Sequence, residues 1–312
     1  MKHKKILAVL IAAALLVGMT AGCARSASTA QSEPEAVAVT ITDMKGREVT
    51  LEKPAARIVA LTPADCEILY AIGAGDMLVG RGEYCDYPAQ VLEVPAVASG
   101  SETNIEQIIA LKPDVLLMGD MDQTDEQVAR LEAAGIRVVV SEAGDIAGVY
   151  TAIDMIGRLM GREDNASAVI ASMKSTFDSL TEKSTGDGTQ TIYFEVSPLQ
   201  WGLWTAGTDT FMDEIATMLG MKNCFDDVSG WAEISEEQVL ERNPDFIVTI
   251  TMYYGEGPTP EEEILSRAGW ENVTAVKNNK ILNLQNNELS RPAPRLAEGA
   301  QLLFDFLYGS NG

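Results

Sequence analysis

One segment of the chain occurs twice. Asn104-Ile-Glu-Gln-Ile-Ile-Ala-Leu-Lys-Pro-Asp-Val-Leu-Leu-Met118 is matched 131 positions on (104 to 235) by Ser235-Glu-Glu-Gln-Val-Leu-Glu-Arg-Asn-Pro-Asp-Phe-Ile-Val-Thr249. In each copy a capping residue opens a short helix, Pro-Asp breaks it, and an apolar strand follows. The break has a physical cause, since proline lacks a donor and disfavours helical geometry in the residue before it. A chain of 312 residues is long for one core and comfortable for two. The duplication therefore predicts two similar α/β lobes with a cleft between them. Each copy also carries a glutamate, Glu106 or Glu237, two residues beyond its cap.

The flanking sequence supports this organisation. Val37 to Thr42 and Glu48 to Leu51 alternate around Lys45-Gly46 like a hairpin, and Arg57 to Leu61 is an apolar strand. Thr62 can cap a helix that Pro63 enters and Gly73 stops. Gly73, Gly75 and Gly80 close a helix instead of joining a strand to one, so they are no dinucleotide fingerprint. Strands and helices then alternate to Val140, which predicts a Rossmann-like lobe with a mostly parallel sheet and helices on both faces. From Asp145 to Lys183 nearly everything reads as helix, and Ala166, Val169, Ile170, Met173, Phe177 and Leu180 form one apolar stripe. The expected layout is an N-terminal α/β lobe over 38–160, a long rigid connecting helix over 161–184, and a C-terminal α/β lobe over 185–312.

Ahead of these lobes, Lys2, Lys4 and Lys5 precede an apolar run from Ile6 to Thr20, which is short for a membrane span, and then Thr20-Ala-Gly-Cys23. Residues 1–22 are expected to be a signal peptide, with Cys23 as the lipidated first residue of the mature chain. Residues 23–37 are small and polar, a flexible tether. The formal charge is −23, and removing the three leader lysines leaves 20 basic against 46 acidic residues, or −26. Such a field repels nucleic acid and anionic lipid and favours basic partners. The single histidine, His3, lies in the leader. The mature chain therefore has neither a Ser-His-Asp triad nor a histidine metal site. Cys66, Cys85 and Cys224 show no metal spacing; Cys66 and Cys85 are either bridged or buried free thiols. Asp120-Met-Asp-Gln-Thr-Asp lacks the glycine and terminal glutamate of a calcium loop and reads as a solvated helix start.

The segments Arg57-Ile-Val-Ala-Leu-Thr-Pro63, Tyr84-Cys-Asp-Tyr-Pro88, Leu111-Lys-Pro-Asp114, Trp204-Thr-Ala-Gly207, Gly230-Trp-Ala-Glu-Ile-Ser-Glu-Glu-Gln238, Gly269-Trp-Glu-Asn-Val273 and Ser290-Arg-Pro-Ala-Pro-Arg295 carry a family resemblance. As an ordered set, from about Thr40 onward, the chain resembles the substrate-binding lipoproteins of ABC importers for cobalamin, ferric siderophores and haem. The resemblance implies two lobes on one long helix, limited hinge motion, and a metal complex held between the lobes. It also implies a monomer without a resident cofactor, tied to the cell membrane only by its lipid. Tyr84, Trp204 and Trp231 match aromatic contact positions of the cobalamin binders, and loop aromatics suit a large planar ligand; packing at a lobe edge is the alternative for each. Arg291 falls where the family places a polar cleft residue, able to grip ligand oxygens or to serve in a structural ion pair. Arg81 and Arg295 are weaker candidates, Arg295 being expected beside the last helix, while Trp201 and Trp270 are expected to be structural. Glu106 and Glu237 match surface knobs that dock on arginines of the permease dimer, the alternative being simple helix-end electrostatics. A corrinoid or ferric siderophore is the expected cargo, with haem, held by a tyrosine such as Tyr84, as the alternative within the family. A secreted two-lobed carboxylate-dependent enzyme is the alternative outside it.

Overall fold

The computed structural model describes residues 38–100, 103–119 and 124–309. The leader, Cys23 and the acidic stretch at 120–123 lie outside the described residues. A hairpin of β1 (Val39–Thr42) and β2 (Glu48–Leu51) comes first. The first lobe then runs β3 (Ile58–Ala60), α1 (Pro63–Ala71), β4 (Leu78–Gly82), β5 (Ala96–Val97), α2 (Ile105–Leu111), β6 (Val115–Met118), α3 (Asp125–Ala133) and β7 (Arg137–Val140). Its five strands are all parallel, in the order β5-β4-β3-β6-β7. Two helices follow, α4 (Ile146–Leu159) and the 21-residue α5 (Glu163–Lys183), which leads into the second lobe.

The second lobe runs β8 (Thr191–Ser197), β9 (Leu203–Ala206), α6 (Phe211–Met218), β10 (Lys222–Asn223), β11 (Trp231–Ile234), α7 (Glu236–Arg242), β12 (Phe246–Thr249), α8 (Pro260–Ser266), α9 (Thr274–Lys277), β13 (Ile281–Asn283) and α10 (Leu296–Tyr308). Strand order is β11-β9-β8-β12-β13, with β10 beside the start of β8. The pairings of β8 with β10 and β12, and of β12 with β13, are parallel, while β9 and β11 are antiparallel. The chain is thus two α/β lobes joined by one long helix. The β9–β11 pair is a departure from the expected loops around residues 201–207 and 231. Gly202 and Gly207 flank β9 and Gly230 precedes β11, so both stretches read as turns, and the strands' partners are chosen by tertiary contact.

The repeated unit folds the same way in both lobes. The Gln107 N–H donates to the Asn104 side chain at 3.0 Å and the Gln238 N–H to Ser235 Oγ at 3.4 Å, so both helices are capped. Both end on a left-handed residue just before proline, Lys112 at φ 50° and Asn243 at φ 46°. The following aspartates then serve the neighbouring strand. Asp114 accepts from the Ala56 and Arg57 N–H groups at 2.8 and 2.9 Å, and Asp245 accepts from the Thr191 N–H at 2.8 Å. Each Pro-Asp therefore ends a helix and fixes the entry of the adjacent central strand.

Burial alternates along the strands. In the first sheet Val59, Leu116 and Val138 pack to one side, while Ile58, Ala60, Val115, Leu117 and Val139 pack to the other. That second side belongs to an apolar layer that continues under the second sheet through Ile192, Phe194, Phe246 and Val248. Helices α4, α5 and α10 floor it with Ile153, Ile156, Met173, Phe177, Leu180, Leu296 and Leu303. The stripe expected on α5 is the face that enters this layer; Val169 and Ile170 pack at its margin.

Cys66, Cys85 and Cys224 are buried free thiols, and a hydrogen bond to Cys85 together with burial pushes the Cys66 thiol well above its usual range. Nearby, at the start of α1, Asp65 is 1% exposed. Its Oδ2 accepts from the Thr62 hydroxyl at 2.6 Å, while Oδ1 has no protein partner. Burial raises its pKa to about 6, only partly opposed by Thr62 and Ser141. A carboxyl held above its ordinary value of 3.8 leaves stability intact below that value and removes it as pH rises to about 6. Asp65→Asn is therefore expected to be more stable than the natural chain above pH 6 by up to about 3 kcal/mol, with the difference vanishing near pH 4. Urea unfolding across pH 4–7 reads this directly; equal stabilities at all pH values would refute it.

Candidate functional site

Parallel strands deliver their C-terminal ends to one edge of each sheet, where loops gather. Two cavities open among those loops. The larger, of about 640 Å³, lies in the second lobe beyond β8 and β12, between residues 195–201 and 250–263. Trp201, Met252, Tyr253 and Tyr254 line it, together with Glu195, Glu256 and Glu263; among the described residues no lysine or arginine does. The smaller, of about 400 Å³, takes Asp86 and Tyr87 from the first lobe and Asn286, Asn287, Glu288 and Arg295 from the second. Met252 borders both, so the cavities adjoin.

Tyr84 is 69% exposed on the turn after β4, two residues before Asp86 of the smaller cavity. Its loop is anchored by Arg81, whose guanidinium donates to the Gly82 and Glu83 carbonyls at 3.1 and 3.2 Å. The buried Cys85 also holds it, the thiol lying 4.0 Å from the Leu61 carbonyl. Trp204 and Trp231 lie inside strands, contrary to the expectation of loop positions. The register pairs Trp204 with Glu233 and Trp231 with Ala206, which puts both indoles and Glu233 on one face of the β9–β11 ribbon. Both remain open, at 40% and 42% exposure, and Trp231 leans on the buried Phe211 with ring centroids 5.4 Å apart. Among the described residues no ring pair joins Tyr84 to either tryptophan.

Arg291 and Arg295 enter a cluster that ties the lobes together. Arg291 donates to Glu67 of α1 at 3.0 Å and to Asp86 at 2.5 Å. Arg295 donates to both oxygens of Glu67, at 2.9 and 2.7 Å, and its guanidinium stacks 3.8 Å from the Tyr87 ring centre. Burial works against both charges, but the carboxylates more than offset it and raise both pKa values. Arg295 sits at the head of the last helix, as expected.

Trp201 and Trp270, expected to be structural alike, differ. Trp270 is fully buried, whereas Trp201 is 73% exposed on the wall of the larger cavity. Position alone could have revealed it, since Trp201 lies just past the C-terminal end of a central parallel strand. Met252, Tyr253 and Tyr254 follow β12 in the same way and were equally missed.

That wall includes an ionic chain with a buried centre. Glu195, 1% exposed, accepts from Arg267 at 2.7 and 3.0 Å, and the same guanidinium reaches Glu263. Burial raises the Glu195 pKa against the pull of Arg267. Arg267 also stacks 4.5 Å over Trp270, whose indole N–H donates to Glu236 at 2.9 Å.

The paired glutamates are surface groups on different lobes. Glu106 is exposed and ion-paired with Arg130 of α3. Glu237 is fully exposed, and its own N–H and the Ser235 hydroxyl hold its carboxyl below the usual range.

Residues 58–288 match the model of the family described as periplasmic binding protein. An uncharacterised ABC transporter substrate-binding lipoprotein of Bacillus subtilis is 34% identical over 307 residues, 96% of this chain and 95% of the relative. A possible iron-binding periplasmic solute-binding protein of Staphylococcus epidermidis superposes with TM-score 0.68 at 32% identity, covering 82% of this chain and all (100%) of that one. The periplasmic vitamin B12 binding protein of Vibrio cholerae superposes with TM-score 0.67 at 25% identity, covering 81% and 97%.

Arg267→Ala would strand Glu195 as an uncompensated carboxylate in an apolar wall. Its unfolding free energy is expected to fall by about 3–5 kcal/mol. Chemical denaturation measures this, and Arg267→Met combined with Glu195→Gln is expected to recover part of the loss; a single variant as stable as the natural chain would contradict the assignment.

Proposed function

The chain belongs to the periplasmic binding protein family, and we propose that it captures a large metal complex between its lobes and delivers it to an ABC importer. The observation that carries this reading is the pair of adjoining cavities at the strand ends, aromatic in one and bridging both lobes in the other. Clefts of this size with a few fixed polar groups are ordinary small-molecule sites. Within the class, a corrinoid is the best fit. Trp204, Trp231 and Tyr84 offer aromatic faces on either lobe, and the larger cavity supplies Trp201 and Tyr254. Its lining has carboxylates and no cation to meet haem propionates or an anionic ferric chelate. Relatives named vitamin B12-binding or cobalamin-binding proteins, 26–28% identical, support the same choice.

In this reading Arg291 shapes the cleft through its ion pairs more than it grips cargo. Cys23 carries the lipid that holds the protein outside the membrane, and Glu106 and Glu237 are the two docking points for basic residues of the permease. Exposed charges of this kind set orientation and association rate.

Calorimetric titration with cyanocobalamin, a ferric siderophore and haemin in parallel tests the cargo. Cyanocobalamin is expected to bind most tightly, and Trp204→Ala and Trp231→Ala to weaken it about tenfold each. No binding of any of the three would sink the reading.

Docking is tested separately with Glu237→Arg. Uptake by cells is expected to drop while the purified variant keeps the natural Kd. Lost cargo affinity with normal uptake per bound cargo would overturn the docking role.

A further inference from the structure

An arginine pair beside a ligand cavity ordinarily attracts anions, because the guanidinium fork matches carboxylate geometry and is weakly hydrated. Here both forks are already occupied. Glu67 is 3% exposed and uses both oxygens, Oε1 accepting from Arg291 at 3.0 Å and from Arg295 at 2.7 Å, and Oε2 from Arg295 Nε at 2.9 Å. Asp86, half-exposed, takes the other side of Arg291 at 2.5 Å. Glu67 and Asp86 pair directly with the two arginines, and Glu288 and Glu298 line the same cavity, so this edge carries no surplus positive charge. The larger cavity adds none, since its ionisable lining is acidic and phenolic. Glu67 reaches this place from the first lobe, on the buried face of α1, so the sequence gives no local hint of its partners.

We propose that Glu67 determines specificity by acting as a built-in counter-ion: it holds Arg291 and Arg295 neutralised, so that the cleft rejects anionic complexes and accepts uncharged, amide-bearing ones. Glu67 touches no cargo in this account; it is a positioning residue that works through the two arginines. The inference deepens the reading of the protein as a metal-complex binder and rests on it for the natural cargo, but the charge balance at the cluster is a property of these side chains alone. A purely structural latch would behave differently. Breaking a latch weakens the protein and every ligand together, and it creates no new affinity.

Glu67→Gln keeps the side-chain shape and an acceptor while removing the charge. Citrate serves as the anionic probe and cyanocobalamin as the neutral one, titrated calorimetrically and by thermal shift at low salt and at about 0.5 M salt, where exposed charge pairs are largely screened. The natural chain is expected to show no thermal shift with citrate. Glu67→Gln is expected to bind citrate at least about tenfold more tightly, to be stabilised by it, and to lose the gain at high salt. The ratio of citrate to cyanocobalamin affinity rises accordingly. If Glu67→Gln does not fold, Asp86→Asn, a substitution at a half-exposed position, is expected to raise citrate affinity in the same direction through Arg291 alone. A folded variant that binds citrate no better than the natural chain overturns the proposal, as does tight citrate binding by the natural chain. Failure of the broader reading has a separate signature, absence of cyanocobalamin binding to the natural chain, and it leaves the citrate comparison intact.

Discussion

A single apolar layer lies under both sheets, and the rest of the molecule is arranged around it. The residues of β3, β6 and β7 that face it and those of β8 and β12 that face it are floored by the same helices, α4, α5 and α10. Moving one lobe far from the other would open this layer, and burial of apolar surface is the main favourable term in folding. The connecting helix is rigid for that reason: its apolar stripe is part of the core of both lobes.

Much of this was legible in the sequence because it rests on local chemistry. The two copies of the capped helix with its Pro-Asp break predicted both lobes, and the structure shows why the aspartate recurs, since Asp114 and Asp245 each receive the incoming backbone of a central strand. The long helix announced itself by a six-residue stripe. The β9–β11 ribbon did not, because Gly202, Gly207 and Gly230 at its strand ends read as turns and its short strands are specified by their partners. That miss moved Trp204 and Trp231 from loops to one strand face. Trp201, expected to be structural, is exposed on a cavity wall because it lies just past the end of a parallel strand.

The cluster of Glu67, Asp86, Arg291 and Arg295 was the least legible part. Arginines near the C-terminus suggested a ligand grip, yet their charge is answered by carboxylates more than two hundred positions earlier. Local propensity carries no information about such pairs. They become visible only when the apolar layer has brought α1 and the segment before α10 together. The same holds for Glu195 and Arg267, an ion pair formed across 72 positions at the wall of the larger cavity.

The separation of Glu67 from its partners, 224 and 228 positions, sets an order of assembly. Synthesis runs from the N-terminus, so α1 is complete long before Arg291 and Arg295 exist. Until they arrive, a compact first lobe would hold a carboxylate without its counter-charge, which disfavours closing that face of α1.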